Sequence, residues 1–304
     1  MTEGLVSVII PTYGGNLSLE KAINSVLIQN YQWFEIIVVD DNDPDTEQRS
    51  RTELIMKKYE NDQRVIYYKH KKNKNGAAAR NTGAKVAKGS YLAFLDDDDI
   101  FLQDKLRKQV EFLNVHSEYA AVYCGRKEGN RIIIGHLQGN LSRELLDLSF
   151  TPCTDSLMLR TESFWAINGF DETYVRHQDF EFLLRYFKLF KIGVIEEPLL
   201  CVVGNEVDNQ PHGKKAVEIK KKFLDTFQND IKEIDKKYKG FRKKVYAKHY
   251  SGLILKLLRY GNLGLAIKVY FTDAYKGGLL FWNELFNQLK NILKNRFRNE
   301  GKTI

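Results

Sequence analysis

Four consecutive aspartates, Asp96 to Asp99, stand directly behind the apolar run at residues 91–95 (YLAFL). An apolar run of this length fits a strand covered on both faces, and such strands belong to sheets flanked by helices. Four like charges at the end of that strand repel one another unless something positive sits among them. The run therefore constrains fold and chemistry together, as a buried sheet that opens into an acidic edge.

Strand and helix signals alternate through the first two hundred residues. Residues 5–10 (LVSVII), 34–39 (FEIIVV) and 64–68 (RVIYY) are further strand candidates. The first is closed by Pro11, Gly14 and Gly15, and the second by Asp40 and Asp41. Between them Leu19, Ile23, Val26 and Leu27 recur at helical spacing, with Ser18 placed to cap. Residues 47–60 predict a helix with Leu54, Ile55 and Tyr59 on one inward face. Residues 76–88 (GAAARNTGAKVAK) predict a helix whose alanines and Gly83 allow close approach to a sheet. A further helix from about Asp104 turns Leu106, Val110 and Leu113 inward. After residue 119 the pattern is mixed: short strands at 120–123 and 131–134, a loop and helix over 155–190, and a strand at 191–195. This rhythm predicts an α/β fold with a mostly parallel sheet and helices on both faces. Ligands of such sheets bind outside the carboxyl ends of the strands, where Asp40, Asp41 and the Asp96 to Asp99 run all fall.

Charge divides the chain. Residues 214–304 hold 22 of the 47 Lys and Arg but only 8 of the 39 Asp and Glu, so the net charge of +8 comes from the tail. A boundary near Gly213, beside Pro211, separates a domain at 1–213 from a helical, basic region at 214–304. Helices are predicted there at 214–236, 241–260, 263–275 and 279–298. With 43% hydrophobic and 28% charged residues, wholesale disorder is excluded. Cys124, Cys153 and Cys201 lie far apart with no Cys-x-x-Cys, which argues against a zinc finger or a disulfide framework. Residues 5–11 are too short for a signal-peptide core, and no stretch of 18 uncharged apolar residues occurs. The expectation is a cytoplasmic protein, soluble or peripheral at the inner face of the cell membrane.

A divalent cation is the economical neutraliser of the aspartate run, and hard carboxylate oxygens suit magnesium or manganese. Such a metal takes one or two protein carboxylates and completes its shell with substrate phosphate. That describes a diphosphate-bearing substrate.

The segments VSVIIPTY (6–13), AINSVLIQNY (22–31), FEIIVVDD (34–41), GAAARNTGAKVAKGSYLAFLDDDD (76–99), DKL (104–106) and INGFDETYVRHQDFEFLLR (167–185) together resemble the family 2 glycosyltransferases. The resemblance spans residues 5–200 and implies the Rossmann-like, glycosyltransferase A-type fold, with 1–213 as the catalytic domain. It implies an inverting enzyme that moves a sugar from a nucleotide-sugar donor, with UDP-hexose as the expected donor, to a glycan or lipid-linked acceptor. Bacterial capsule, exopolysaccharide or cell-wall assembly is the implied setting. Carried over residue by residue, Pro11, Thr12 and Tyr13 line the nucleotide pocket, with Tyr13 stacking on the base. Asp41, with Asp40 beside it, would hydrogen-bond the base. Arg80 would touch the donor diphosphate or pair with an aspartate of the acidic run. The family's Asp-x-Asp-Asp pattern maps to Asp96, Asp98 and Asp99. Asp98 is the expected metal ligand, and Asp96 or Asp97 would contact the ribose. The redundancy of the run leaves the division of roles among its members open.

Inversion by direct displacement needs one general base to take the acceptor's hydroxyl proton. The resemblance places it at Asp179, after the Gly169-Phe170-Asp171-Glu172 segment. Many family members carry Glu just before this Asp, whereas this chain has Gln178. Asp171 and Glu172 read as structural, and Glu181 would point elsewhere on the helix.

In the tail, Phe281, Trp282, Leu285, Phe286, Leu289, Ile292, Leu293 and Phe297 recur at spacings of three and four, with Lys290, Lys294, Arg296 and Arg298 among them. A basic helix with this apolar face fits an anionic membrane surface or a helix docked on the protein. A nucleic-acid-binding reading, prompted by the basic pI, is disfavoured because the charge is confined to the tail and no nucleic-acid motif appears. A nucleotidyltransferase is the alternative enzyme, but Gly14-Gly15 is too little for a phosphate loop.

Overall fold

A computed structural model describes residues 1–203 and 211–300, with side chains as far as residue 294. Among the described residues, nine strands form one sheet. They are β1 Thr2–Thr12, β2 Phe34–Asp40, β3 Val65–Lys69, β4 Gly89–Phe94, β5 Ile100–Phe101, β6 Ala121–Glu128, β7 Arg131–Ile133, β8 Leu157–Arg160 and β9 Ile192–Val202. The strand order is β3-β2-β1-β4-β8-β6-β9-β5, with β7 paired to β6. The first four strands run parallel, as does the long β6–β9 pair, and β8 enters antiparallel between β4 and β6. The expected α/β sheet, mostly parallel and flanked by helices, is what the chain forms.

The helices α1 Leu19–Leu27, α2 Glu47–Met56, α3 Gly76–Val86, α4 Lys105–Val115, α6 Thr161–Ala166 and α7 Gln178–Tyr186 accompany the strands. Alternate residues of one strand point to opposite faces. Val6, Val8 and Ile10 of β1 thus pack with Leu19, Ile23 and Val26 of α1. Ile37 and Val39 of β2 face the other way, onto Ala79 of α3. Gly83 makes the close approach of α3 possible, since a Cβ there would lie 2.5 Å from Ile9 Cγ2. Leu106, Val110 and Leu113 are buried as the spacing predicts.

Three local expectations are corrected. Leu54 is exposed rather than inward, because α2 turns Arg49 and Thr52 to the protein instead. The guanidinium of Arg49 has a polar destination, the Asp40 carboxylate at 3.1 Å. Ser18 occupies the N-cap position of α1 but its side chain makes no cap bond. Residues 157–160, read as loop, form β8, a strand too short to show periodicity.

The chain divides into two compact units, Met1–Ser142 with Thr151–Val207, and Arg143–Phe150 with Asp208–Ile304. The second contains α8 Gly213–Thr226, α9 Gln228–Lys237, α10 Phe241–Arg259, α11 Leu263–Thr272 and α12 Leu279–Glu300. The remaining short helix, α5 Ser142–Leu146, lies almost wholly in this unit. The helix expected over 214–236 breaks at Phe227 into α8 and α9. Val245, Tyr250 and Leu257 of α10 are buried, and Gln288 Nε2 of α12 donates to Ser251 Oγ at 2.9 Å. No helix among the described residues is long and apolar enough to cross a membrane.

Candidate active site

The site is built at the carboxyl ends of β1, β2 and β4. Thr12, the last residue of β1, donates through Oγ1 to Asp97 Oδ2, and Asn16 Nδ2 donates to Asp97 Oδ1 at 3.0 Å. The loop after β1 is thereby tied to the acidic run after β4. Burial pushes the Asp97 carboxyl up to about 6, and the neighbouring Asp96 and Asp98 push the same way against the two hydrogen bonds. Pro11 is half-buried in β1, whereas Tyr13 is 64% exposed at the rim of this loop, with its ring open to a partner.

Asp40 ends β2 and Asp41 follows it, and both are buried. Asp40 pairs with Arg49 and accepts from Tyr67 and from the backbone and side chain of Asn42. Asp41 accepts from the backbone amides of Lys74 and Asn75 at 2.9 Å and from Asn73 Nδ2 at 3.1 Å. His70 bridges Asp41 to Thr82 of α3. Asp41 thus fixes the turn at 73–75, where Asn75 sits at φ +141° and its side chain caps α3 through the Ala78 amide. Any hydrogen bond that a base donated to Asp41 would have to replace one of these.

α3, so anchored, delivers Arg80. Its Nη2 donates to Asp96 Oδ1, and its Nη1 donates to Gln178 Oε1 at 3.0 Å. Burial alone would lower this guanidinium, but the carboxylates of Asp96 and Asp155 outweigh it and hold it up. One residue later, Asn81 exchanges hydrogen bonds with both backbone groups of Phe170 and donates to Glu172 at 3.0 Å. The small-residue helix therefore grips both the acidic run and the segment leading into α7.

Asp179 stands in the first turn of α7, accepting at 2.9 Å from the Phe180 amide. Burial pushes its carboxyl up to about 6, while the Phe180 N–H and the Arg80 charge restrain the rise. Glu181 turns away and clamps Arg185, which donates to the Ile167 and Gly169 carbonyls. Arg80 brings Asp96 and Asp179 into one electrostatic group, since both carboxylates act on it.

Asp98 is half-buried, and burial and then Asp96 push its carboxyl upward. A cation among these groups would reverse that push, and a half-buried oxygen donor beside a second carboxylate fits magnesium or manganese. Carboxylate oxygens of this kind are the donors that a hard divalent cation takes. Deeper in, Asp99, Cys153 and Asp155 bring ligand atoms within 4.8 Å of one another, a group that could hold a metal and that does not include Asp98. Burial pushes Asp99 up to about 6 and Asp155 well above the carboxylate range, with the neighbouring carboxylates of Asp96 and Asp99 adding to the rise of Asp155. Asp155 also accepts from the Asp96 amide at 3.0 Å, supporting the acidic run from below. Sequence reading missed it, because a single Asp in TPCTDS carries no periodicity and no motif.

Comparison with known proteins gives a consistent picture. The sequence profile described as Glycosyl transferase family 2 matches residues 7–167. An uncharacterized glycosyltransferase of Rickettsia bellii is 30% identical over 222 residues, covering 69% of this chain. The chain spans only 31% of that relative's length. The amylovoran biosynthesis glycosyltransferase AmsB of Erwinia amylovora is 28% identical over 215 residues, 64% of this chain and 67% of that protein. Among solved structures, S. aureus TarS 1-349 in complex with UDP-GlcNAc superimposes with a TM-score of 0.60 at 17% identity, over 92% of this chain and 79% of that one. That likeness shows the fold.

Proposed function

The chain belongs to glycosyl transferase family 2, and from that premise we propose that it is an inverting, metal-dependent hexosyltransferase. Its donor is a UDP-hexose and its acceptor a glycan or lipid-linked saccharide of a cell-surface polysaccharide. The uridine donor is supported by the UDP-GlcNAc complex of TarS, and the polysaccharide setting by the amylovoran relative. The observation that carries the reading is the double engagement of Arg80. One guanidinium joins Asp96 of the acidic run to Gln178, the neighbour of Asp179.

In this reading Pro11 and Thr12 form the wall of the nucleotide pocket and the exposed Tyr13 ring stacks on the base. Asp40 and Asp41 serve that pocket by fixing its floor and the start of α3. Asp96 and Asp97 face the ribose side, and Asp98 would hold the metal. A cation bound there would supply Lewis-acid stabilisation of the departing diphosphate. Asp179 takes the acceptor's hydroxyl proton as that oxygen attacks the anomeric carbon and the bond to the diphosphate breaks. A single displacement of this kind inverts the anomeric configuration. A carboxyl near 6 is mostly ionised at neutral pH, yet it holds a proton better than an ordinary aspartate.

The test is a screen of nucleotide sugars for hydrolysis and transfer, with and without manganese. Turnover of one UDP-hexose only in the presence of metal, lost in Asp98→Ala, is expected. Full turnover in excess chelator would overturn the metal assignment, and turnover of only a guanosine or thymidine donor would overturn the uridine assignment.

A further inference from the structure

α12 carries one broad apolar arc, and only one edge of it is used. Phe281 is buried, and Gln288, on the same arc, is bound to Ser251 of α10. At 100° per residue, Trp282, Phe286, Leu289 and Leu293 fall within about 60° of one another, along the edge of the arc turned away from Phe281 and Gln288. All four are exposed, Trp282 at 44% and Phe286 at 67%. α11 adds a second open stripe through Ile267 and Phe271, the latter 72% exposed. Tyr270 joins the two helices, its ring centroid 5.3 Å from that of Trp282. Phe297, with Arg296 and Arg298, lies outside the described side chains.

The charge beside these stripes is positive. Lys268, Lys290 and Lys294 are exposed on the same two helices. Of the acidic groups nearby, Asp273 is paired with Lys276 at 2.8 Å, and Glu284 accepts from the neutral Gln288 amide at 3.2 Å, so among the described side chains one carboxylate stands against these three lysines. Aromatic and aliphatic side chains bordered by unneutralised lysines match an interface of acyl chains under anionic headgroups. A core-facing helix would not leave Phe and Trp in water on one side and lysines next to them.

We propose that the open face of α11 and α12 is an interfacial docking surface for an anionic lipid bilayer, which Trp282, Phe286 and Phe271 enter while Lys268, Lys290 and Lys294 meet the headgroups. This goes beyond the transferase reading and does not depend on it. The full chain is sedimented with vesicles of phosphatidylcholine alone or with one third phosphatidylglycerol. It is expected to pellet with the anionic vesicles and to be released in part by salt. Phe286→Asp should weaken partitioning at least tenfold, and Lys290→Gln should weaken it about fivefold at low salt. Hydrolysis of a soluble nucleotide sugar and the helical circular dichroism should be unchanged in both variants. Equal pelleting of wild type and Phe286→Asp would overturn the proposal. So would a concentration-dependent dimer that Phe286→Asp dissolves, since a second copy would then cover the face.

Discussion

Arg80 Nη1 donates to Gln178 Oε1 at 3.0 Å, tying a helix packed on the sheet to the residue just before Asp179. The other arm of the same guanidinium holds Asp96. Removing Arg80 would release α7 and the acidic run together. Arg80→Ala should cost about 1–3 kcal/mol of stability, from the loss of two hydrogen bonds made by a buried guanidinium to half-buried partners, and should lower transfer more than hundredfold. Arg80→Lys should recover stability but not rate, because one ammonium cannot span both partners. Urea unfolding alongside transfer assays separates the two effects.

Gln178→Glu would restore the residue common in related sequences. Its carboxylate would still accept from Arg80, but it would lose the donor that now serves the Tyr174 carbonyl at 2.8 Å. Those changes oppose each other, so stability should move by less than about 1 kcal/mol. The added charge next to Asp179 should raise that carboxyl further. The acid limb of the pH profile of kcat/KM is expected to move up, and a downward move would mean that Asp179 is not the titrating group.

Gly83→Ala would place a Cβ 2.5 Å from Ile9 Cγ2. Alanine favours the helix by about 1 kcal/mol, but overpacking against the sheet costs about 1–3 kcal/mol. A net loss of stability is expected, with reduced transfer because α3 carries Arg80. Thermal unfolding that showed a gain would refute the close packing.

Stability without ligands should rise as the pH falls from neutral toward 5. Asp97, Asp99 and Asp179 are each pushed up to about 6, above an unfolded value near 3.8. A carboxyl raised on folding binds its proton more tightly in the native state. Its stabilising contribution is complete below about 3.8 and disappears as the pH rises through about 6. Tm measured at pH 5.5 should therefore exceed Tm at pH 7.5 by several degrees. Manganese with UDP should narrow the gap by stabilising the ionised carboxylates at the higher pH.

The sheet was legible because β1, β2 and β4 are covered on both faces and therefore read as unbroken apolar runs. The tail helices were legible for a related reason: Gly240, Gly261 and Gly278, all at positive φ, punctuate an otherwise regular pattern. β8 was not, since four residues between two helices carry no period, and its place between β4 and β6 depends on partners far along the chain. The sequence located the carboxylates at the strand ends but not their partners. Asp40 and Asp41 look alike in sequence, yet one neutralises Arg49 and the other pins the start of α3. Asp155 came to light only when folding placed it beneath the acidic run.

The most direct test replaces one oxygen by nitrogen. Asp179→Asn keeps the shape of the side chain and removes its ability to accept a proton. Calorimetry of UDP binding with manganese and single-turnover transfer are measured on the same preparation. Donor affinity within about twofold of wild type and a transfer rate lower by about 10²–10⁴ are predicted. Transfer at the normal rate would show that the proton leaves the acceptor by another route.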